Sequence, residues 1–139
     1  MLVVTGGGGF IGSVLAAELN AAGRADLVIV DRFGHGDKWR NIAKRDFYEI
    51  VPVDGLFTWL ERYGERVEAV FHLGAISATT FADADEMIAN NLNYSIALWR
   101  WCADGRNVAS RSGSPMAAST SCTPDMCRCS PRRAPNATG

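Results

Sequence analysis

Three glycines at Gly6, Gly9 and Gly12 follow the apolar residues Val3-Val4-Thr5 and lead into Ser13-Val14-Leu15-Ala16-Ala17-Glu18-Leu19, a stretch that reads as a helix. This G-x-x-G-x-x-G spacing suits chemistry at a dinucleotide pyrophosphate. The first glycine permits a tight strand-to-helix turn, the second lets backbone approach a phosphate closely, and the third lets helix and strand pack tightly. Phosphates would then sit at the helix N-terminus, among unpaired N–H groups and the positive end of the dipole. Glycines also punctuate ordinary turns. The pattern gains weight from the strand before it, the helix after it, and an acidic residue about 20 positions on.

That residue is Asp31, which closes the strand-like run Leu27-Val28-Ile29-Val30. A carboxylate there can accept the hydroxyls of an adenosine ribose, which favours NAD, or simply end a strand. Arg32 and Lys38 can bind a ribose 2′-phosphate, which favours NADP, although exposed loop cations are usually only solvated. Residue chemistry leaves the two cofactors open.

Other reactive residues have plainer readings. His72 ends an apolar strand and suits a packed, hydrogen-bonded role better than that of a base, and His35 lies in a glycine-flanked loop and should be exposed. Cys122, Cys127 and Cys129 form C-x4-C-x-C, but no second cluster completes a four-ligand metal set at a recognised spacing, so no metal is expected. Cys102 reads as a small apolar residue of the last helix. Asn136-Ala137-Thr138 matches a glycosylation acceptor that means nothing without a secretion signal.

The elements that must position these residues alternate. Strands are expected at 2–5, 26–31, 47–51 and 68–73. Helices are expected at 10–23, ended by Gly23, at 55–63 with Asp54 as N-cap, and at about 84–103, with a short helical stretch over 38–44. Alternation implies right-handed crossovers and a parallel sheet covered on both faces. The expected order is 3-2-1-4, the N-terminal half of a doubly wound Rossmann-type α/β fold. In the last helix Ile88, Leu92, Ile96 and Trp99 share a stripe. Trp99 and Trp101 lie about 200° apart, so only one of them faces the sheet.

The chain has 139 residues and a net charge of −1, a balance that argues against nucleic-acid or membrane-surface partners. Met1 enters the first strand directly, which leaves no room for a signal peptide, and no apolar run approaches a membrane span. A soluble, cytoplasmic protein is the expectation. Composition changes abruptly near residue 103. Residues 104–139 contain no Leu, Ile, Phe, Tyr or Trp but hold four of the five prolines and three of the four cysteines. A segment of that kind buries too little apolar surface to offset its ordering entropy. The expected organisation is a partial dinucleotide-binding domain over 1–103 and a disordered, low-complexity tail over 104–139.

Within the body, Thr5-Gly6-x-x-Gly9-Phe10-Ile11-Gly12, Asp31, His72-Leu73-Gly74-Ala75 and Asn90-Asn91 together resemble the extended short-chain dehydrogenase/reductases. Gly36-Asp37-Lys38-Trp39-Arg40-Asn41, the stretch His72 to Thr80 and Ile88-Ala89-Asn90-Asn91 are similar to the ADP-L-glycero-D-manno-heptose 6-epimerase family over residues 1–103. The resemblance implies an NADP cofactor that transiently oxidises a nucleotide-bound sugar at one carbon and returns the hydride to the opposite face, yielding a heptose precursor of lipopolysaccharide. It places Phe10 and Ile11 against the cofactor within the turn formed by Gly6, Gly9 and Gly12. It also places Asp31, Arg32 and Lys38 around the adenosine ribose, Leu73, Gly74, Ala75, Ile76 and Ser77 on the nicotinamide side, and Asn90 on the cofactor. Ser77, Thr79 and Thr80 would lie near the reacting groups.

One departure is severe. The family's chemistry needs a Tyr-x-x-x-Lys pair, a phenol whose pKa a nearby lysine lowers. This chain has only Tyr48, Tyr63 and Tyr94, with Lys38 and Lys44, and no tyrosine has a lysine four residues on. No catalytic residue is therefore assigned. The Arg-, Ser- and Pro-rich end resembles out-of-frame translation of GC-rich DNA, so a truncated, inactive epimerase relative is expected, with a non-catalytic dinucleotide-binding module or a fragment of another NAD-dependent sugar epimerase or dehydratase as alternatives. The free edge of strand 68–73 and the apolar stripe of the last helix favour self-association.

Overall fold

A computed structural model describes residues 1–104. Strand β1 (Leu2–Thr5) leads through the glycine turn into helix α1 (Phe10–Ala21), followed by β2 (Leu27–Val30). A short 3-10 helix (Asp37–Asn41) precedes β3 (Glu49–Val51), and another (Val53–Gly55) precedes α2 (Leu56–Tyr63). Strand β4 (Ala69–His72) then leads to a helical stretch in three parts: α3 (Ala84–Met87), a π-helical segment (Ile88–Asn93) and α4 (Tyr94–Asp104).

The four strands form one parallel sheet in the order β3-β2-β1-β4, as the alternation of elements requires. Residues of β1 and β2 are apolar at nearly every position because both faces are covered. Val3, Val28 and Val30 point to one side and meet Leu56, Trp59, Leu60 and Leu98 from α2 and α4. Leu2, Val4, Leu27 and Ile29 point to the other and meet Ala16 of α1 and Ile42. Strands β3 and β4 are the edges, and their residues are correspondingly more exposed.

Gly23 ends α1 as its position suggests. Its φ of +81° is left-handed, its N–H bonds the Asn20 carbonyl, and the Arg24 N–H reaches back to Leu19, a complete Schellman motif. Asp54 does not cap α2. Its carboxylate instead pairs with Arg32 at 2.9 Å, and Gly55 begins the helix with no side-chain cap. Asp83 is the acidic cap that forms, accepting from the Glu86 N–H ahead of α3. The stretch expected as a helix over 38–44 is the shorter 3-10 turn.

The last helix turns its apolar stripe outward. Ile88, Leu92 and Ile96 are exposed and Trp99 is 71 % exposed, while Leu98 is buried and Trp101 packs toward the sheet over Gly64. Asp104 still belongs to α4, one residue past the expected boundary. The expected disordered tail, the Cys122–Cys129 cluster and the Asn136 acceptor lie outside the described residues. Among the described residues no helix is long and apolar enough to cross a membrane, and no cluster of three metal-ligating side chains occurs.

Candidate functional site

The loops after β1, β2 and β4 converge at the carboxyl ends of the strands, where a parallel α/β sheet opens a crevice. An open cleft of about 190 Å³ lies there. Of the residues singled out in the sequence, Gly6, Asp31, Arg32 and Lys38 line its first side and Gly74, Ala75, Ile76 and Asn90 its second. Gly9, Phe10, Ile11 and Gly12 lie along the glycine turn, with the Phe10 and Ile11 side chains pointing to solvent. Leu73 and Ser77 are exposed and do not line the cleft, and Thr79 and Thr80 are exposed in the following turn.

The glycines have different physical duties. Gly6 has a φ of +69°, and a Cβ there would lie 2.7 Å from the Gly74 nitrogen, so this residue both turns the chain and lets the 73–74 backbone close over it. A Cβ on Gly12 would lie 2.2 Å from the Gly6 carbonyl oxygen, so Gly12 is demanded by packing inside the turn. Gly9 is different: a Cβ there would meet only the Gly6 carbonyl oxygen, at 3.1 Å, and otherwise face open space. That space lies in front of α1, whose N-terminus has neither a side-chain cap nor an acidic residue in its first turn. The first intrahelical bond runs from the Ser13 N–H to Gly9, so the N–H groups of Phe10, Ile11 and Gly12 precede the helical ladder. An anion at this position would satisfy them.

Asp31 is buried at the end of β2 and extensively bonded. One carboxylate oxygen accepts the Gly8 N–H at 2.7 Å. The other accepts the Arg32 N–H and the Lys38 ammonium. The Asn41 amide donates to the Gly8 carbonyl, holding the glycine turn from its other side. Arg32 points along the cleft wall and pairs with Asp54 and, more loosely, Glu86. Lys38 is thus the cation on the buried carboxylate, while the Arg32 guanidinium is shared between Asp54 and Glu86.

Sequence reasoning passed over part of the wall. Thr5, Val53, His72 and Tyr94 also line the cleft. His72 is held between Thr5 and Ser95 and stacks on Tyr94, consistent with the packed reading given to it, and burial lowers its pKa below the usual histidine range. The Tyr94 hydroxyl donates to the Val53 carbonyl, and burial, reinforced by the Asp54 charge and opposed by Arg32, pushes its pKa up to about 12. It is a neutral phenol. The signal for Tyr94 was weak because an aromatic residue on a helix most often belongs to the core.

The chain resembles known proteins throughout this region. It is 45 % identical over 106 residues to an ADP-L-glycero-D-manno-heptose-6-epimerase of Fusobacterium nucleatum, covering 75 % of this chain and 32 % of that relative. A protein of the same name from Alkalilimnicola ehrlichii is 47 % identical over 115 residues, covering 76 % and 34 %. The chain therefore spans about a third of the length of these curated relatives. Among solved structures, a UDP-glucuronic acid 4-epimerase from Bacillus cereus in complex with UDP-glucuronic acid and NAD superposes with a TM-score of 0.58 at 28 % identity, over 73 % of this chain and 35 % of that one. An epimerase from Methanothermobacter thermautotrophicus gives 0.59 at 26 % identity, over 72 % and 30 %. The profile of the NAD dependent epimerase/dehydratase family matches residues 2–136, and this chain belongs to that family.

Proposed function

We propose that the body of this chain is a nicotinamide-dinucleotide-binding unit of a nucleotide-sugar epimerase of the ADP-heptose type, and that its cofactor is NADP. The observation that carries this reading is the convergence, at one end of the sheet, of an uncapped α1 N-terminus, the open space before Gly9, and the Asp31–Lys38 pair. The N–H groups of Phe10, Ile11 and Gly12 would hold the pyrophosphate. Asp31, Arg32 and Lys38 would surround the adenosine ribose, and the 73–77 segment with Asn90 would take the nicotinamide side.

The preference for NADP follows from charge. An NAD-type site offers a free carboxylate to the ribose diol. Here that carboxylate already accepts from the Gly8 and Arg32 backbone N–H groups and is paired with the Lys38 ammonium, while the Arg32 guanidinium lies along the same cleft. Arg32 is held only by exposed partners, and such pairs are worth about 0–1 kcal/mol, so a 2′-phosphate can draw its guanidinium away.

A bound nicotinamide supplies hydride exchange with a sugar carbon. The 139 residues contain no Tyr-x-x-x-Lys pair to move the accompanying proton, and Tyr94 is held as a phenol bonded to Val53. The expectation is cofactor binding without epimerisation. We assign residues 1–103 to this partial dinucleotide-binding domain and 104–139 to a tail outside it, and we assign self-association to the outer edge of β4 and the exposed stripe of the last helix. Titrating the full chain with NADPH and NADH, followed by the fluorescence of the reduced nicotinamide, tests the cofactor reading. Saturable binding with NADPH at least about tenfold tighter is expected, the equivalent of one charge-assisted hydrogen bond. Equal affinities would remove the NADP assignment, and no binding of either would remove the function.

A further inference from the structure

The cleft wall beyond β2 carries less positive charge than its cations suggest. Lys38 is paired with Asp31, and its ammonium also reaches the Arg32 carbonyl at 3.3 Å. The Arg32 guanidinium stands between carboxylates from two other elements. Its Nη2 donates at 2.9 Å to Asp54, ahead of α2, and its Nη1 lies 3.8 Å from Glu86 of α3. Two cations therefore face three carboxylates, and the balance is negative.

The Nη groups matter because a guanidinium grips a phosphate best through two parallel bonds. Here both are turned to carboxylates, so an arriving phosphate must displace them or accept fewer donors. Arg32 lines the cleft, whereas Asp54 and Glu86 do not. Both members of the closer pair are nevertheless felt at the wall. Beyond the larger effect of burial, Asp54 raises and Arg32 lowers the pKa of Tyr94, whose hydroxyl is fixed to the Val53 carbonyl. The Asp54 side chain is 83 % exposed and caps no helix, and among the described residues Arg32 is its one hydrogen-bond and ion-pair partner. Its carboxylate therefore serves the state of Arg32 and not the packing of the fold.

We propose that Asp54, assisted by Glu86, is a positioning residue for cofactor choice: it withholds Arg32 from the ribose 2′-phosphate and so narrows the preference for NADPH over NADH. This rests on the dinucleotide reading above. Asp54→Asn keeps the size of the side chain and removes its charge. In the full chain, followed by the fluorescence of the reduced nicotinamide, it should tighten NADPH by about three- to fivefold, the upper range for an exposed ion pair. NADH, which has no 2′-phosphate, should stay within about 1.5-fold of wild type. Adding Glu86→Gln should extend the NADPH gain to about five- to tenfold. In an Arg32→Met background, Asp54→Asn should give no gain. Unchanged NADPH affinity in Asp54→Asn would overturn the proposal alone, and weaker binding would do so by showing that the carboxylate orients Arg32 for the phosphate. Equal gains for both cofactors, or a gain that persists without Arg32, would also overturn it. A wild-type chain that takes neither cofactor would overturn the dinucleotide reading, and this role of Asp54 with it.

Discussion

Thr5 Oγ1 and His72 Nδ1 lie 2.6 Å apart, and their other partners fix where the proton sits. The Thr5 oxygen already accepts the Leu73 and Gly74 N–H groups at 3.1 Å each, so its own hydrogen goes to Nδ1. His72 is then the tautomer protonated at Nε2, donating to Ser95, which in turn donates to the Asn91 carbonyl. Protonating Nδ1 would break the first of these bonds.

That arrangement gives a pH dependence of stability. Burial lowers the folded-state pKa of His72 below its ordinary value, 6.5, so between the two values the unfolded chain binds more protons. The neutral His72 contribution is complete above pH 6.5 and is lost as pH falls through that value toward the folded pKa. Urea unfolding at pH 7.5 and 5.5 should show the loss, and His72→Gln should flatten it. The ion pairs of Asp26 and Glu68 with Arg24 hold both carboxyls below their usual range, and what they contribute is lost only at more acid pH. A slope unchanged in His72→Gln would contradict this assignment.

The glycine turn should separate folding from binding. Gly12→Ala forces a Cβ into the Gly6 carbonyl and should cost about 1–3 kcal/mol or more, read as a lower melting temperature. Gly9→Ala meets one tight contact, the Gly6 carbonyl oxygen at 3.1 Å, and should lose much less stability than Gly12→Ala, yet it places a methyl group where the phosphates would approach and should weaken NADPH by about tenfold or more. Wild-type affinity in Gly9→Ala would show that the pyrophosphate lies elsewhere.

Lys38→Met leaves the buried Asp31 carboxylate with two N–H partners and no cation. NADPH affinity should fall by about 10- to 100-fold, the range of a charged hydrogen bond, while NADH changes far less. Parallel titrations with the two reduced cofactors measure the ratio.

The exposed stripe of the last helix should drive association. At low micromolar concentration the wild-type chain should sediment as more than a monomer, and Leu92→Lys with Trp99→Lys should shift it toward one. A sharp wild-type monomer would count against both this face and the β4 edge.

Strand order, the glycine turn and the placement of Asp31 were legible because each follows from local pattern: alternating elements, fixed spacing, an apolar run ending in a carboxylate. What escaped depends on contacts between distant segments. Asp54 has the residue type and position of a cap, but the Arg32 guanidinium takes its carboxylate. Asn91 was visible only as half of an Asn-Asn pair, since its partner Ile76 lies 15 residues earlier in a stretch without periodicity. The stripe through Ile88, Leu92, Ile96 and Trp99 has helical spacing, but spacing cannot say which side of a helix meets the sheet. The π-helical turn further alters the phase between α3 and α4.

Thr5 is the register partner of both Val30 and His72, so the three strands whose loops build the cleft stop on a common line. This level finish makes the site a property of the backbone ladder. Sliding β4 by one residue would carry its loop about 3.3 Å along the sheet and turn every β4 side chain to the opposite face, setting a leucine where His72 meets Thr5. Three loops of unrelated sequence can therefore diverge independently in length and chemistry, provided the strands beneath them keep their count.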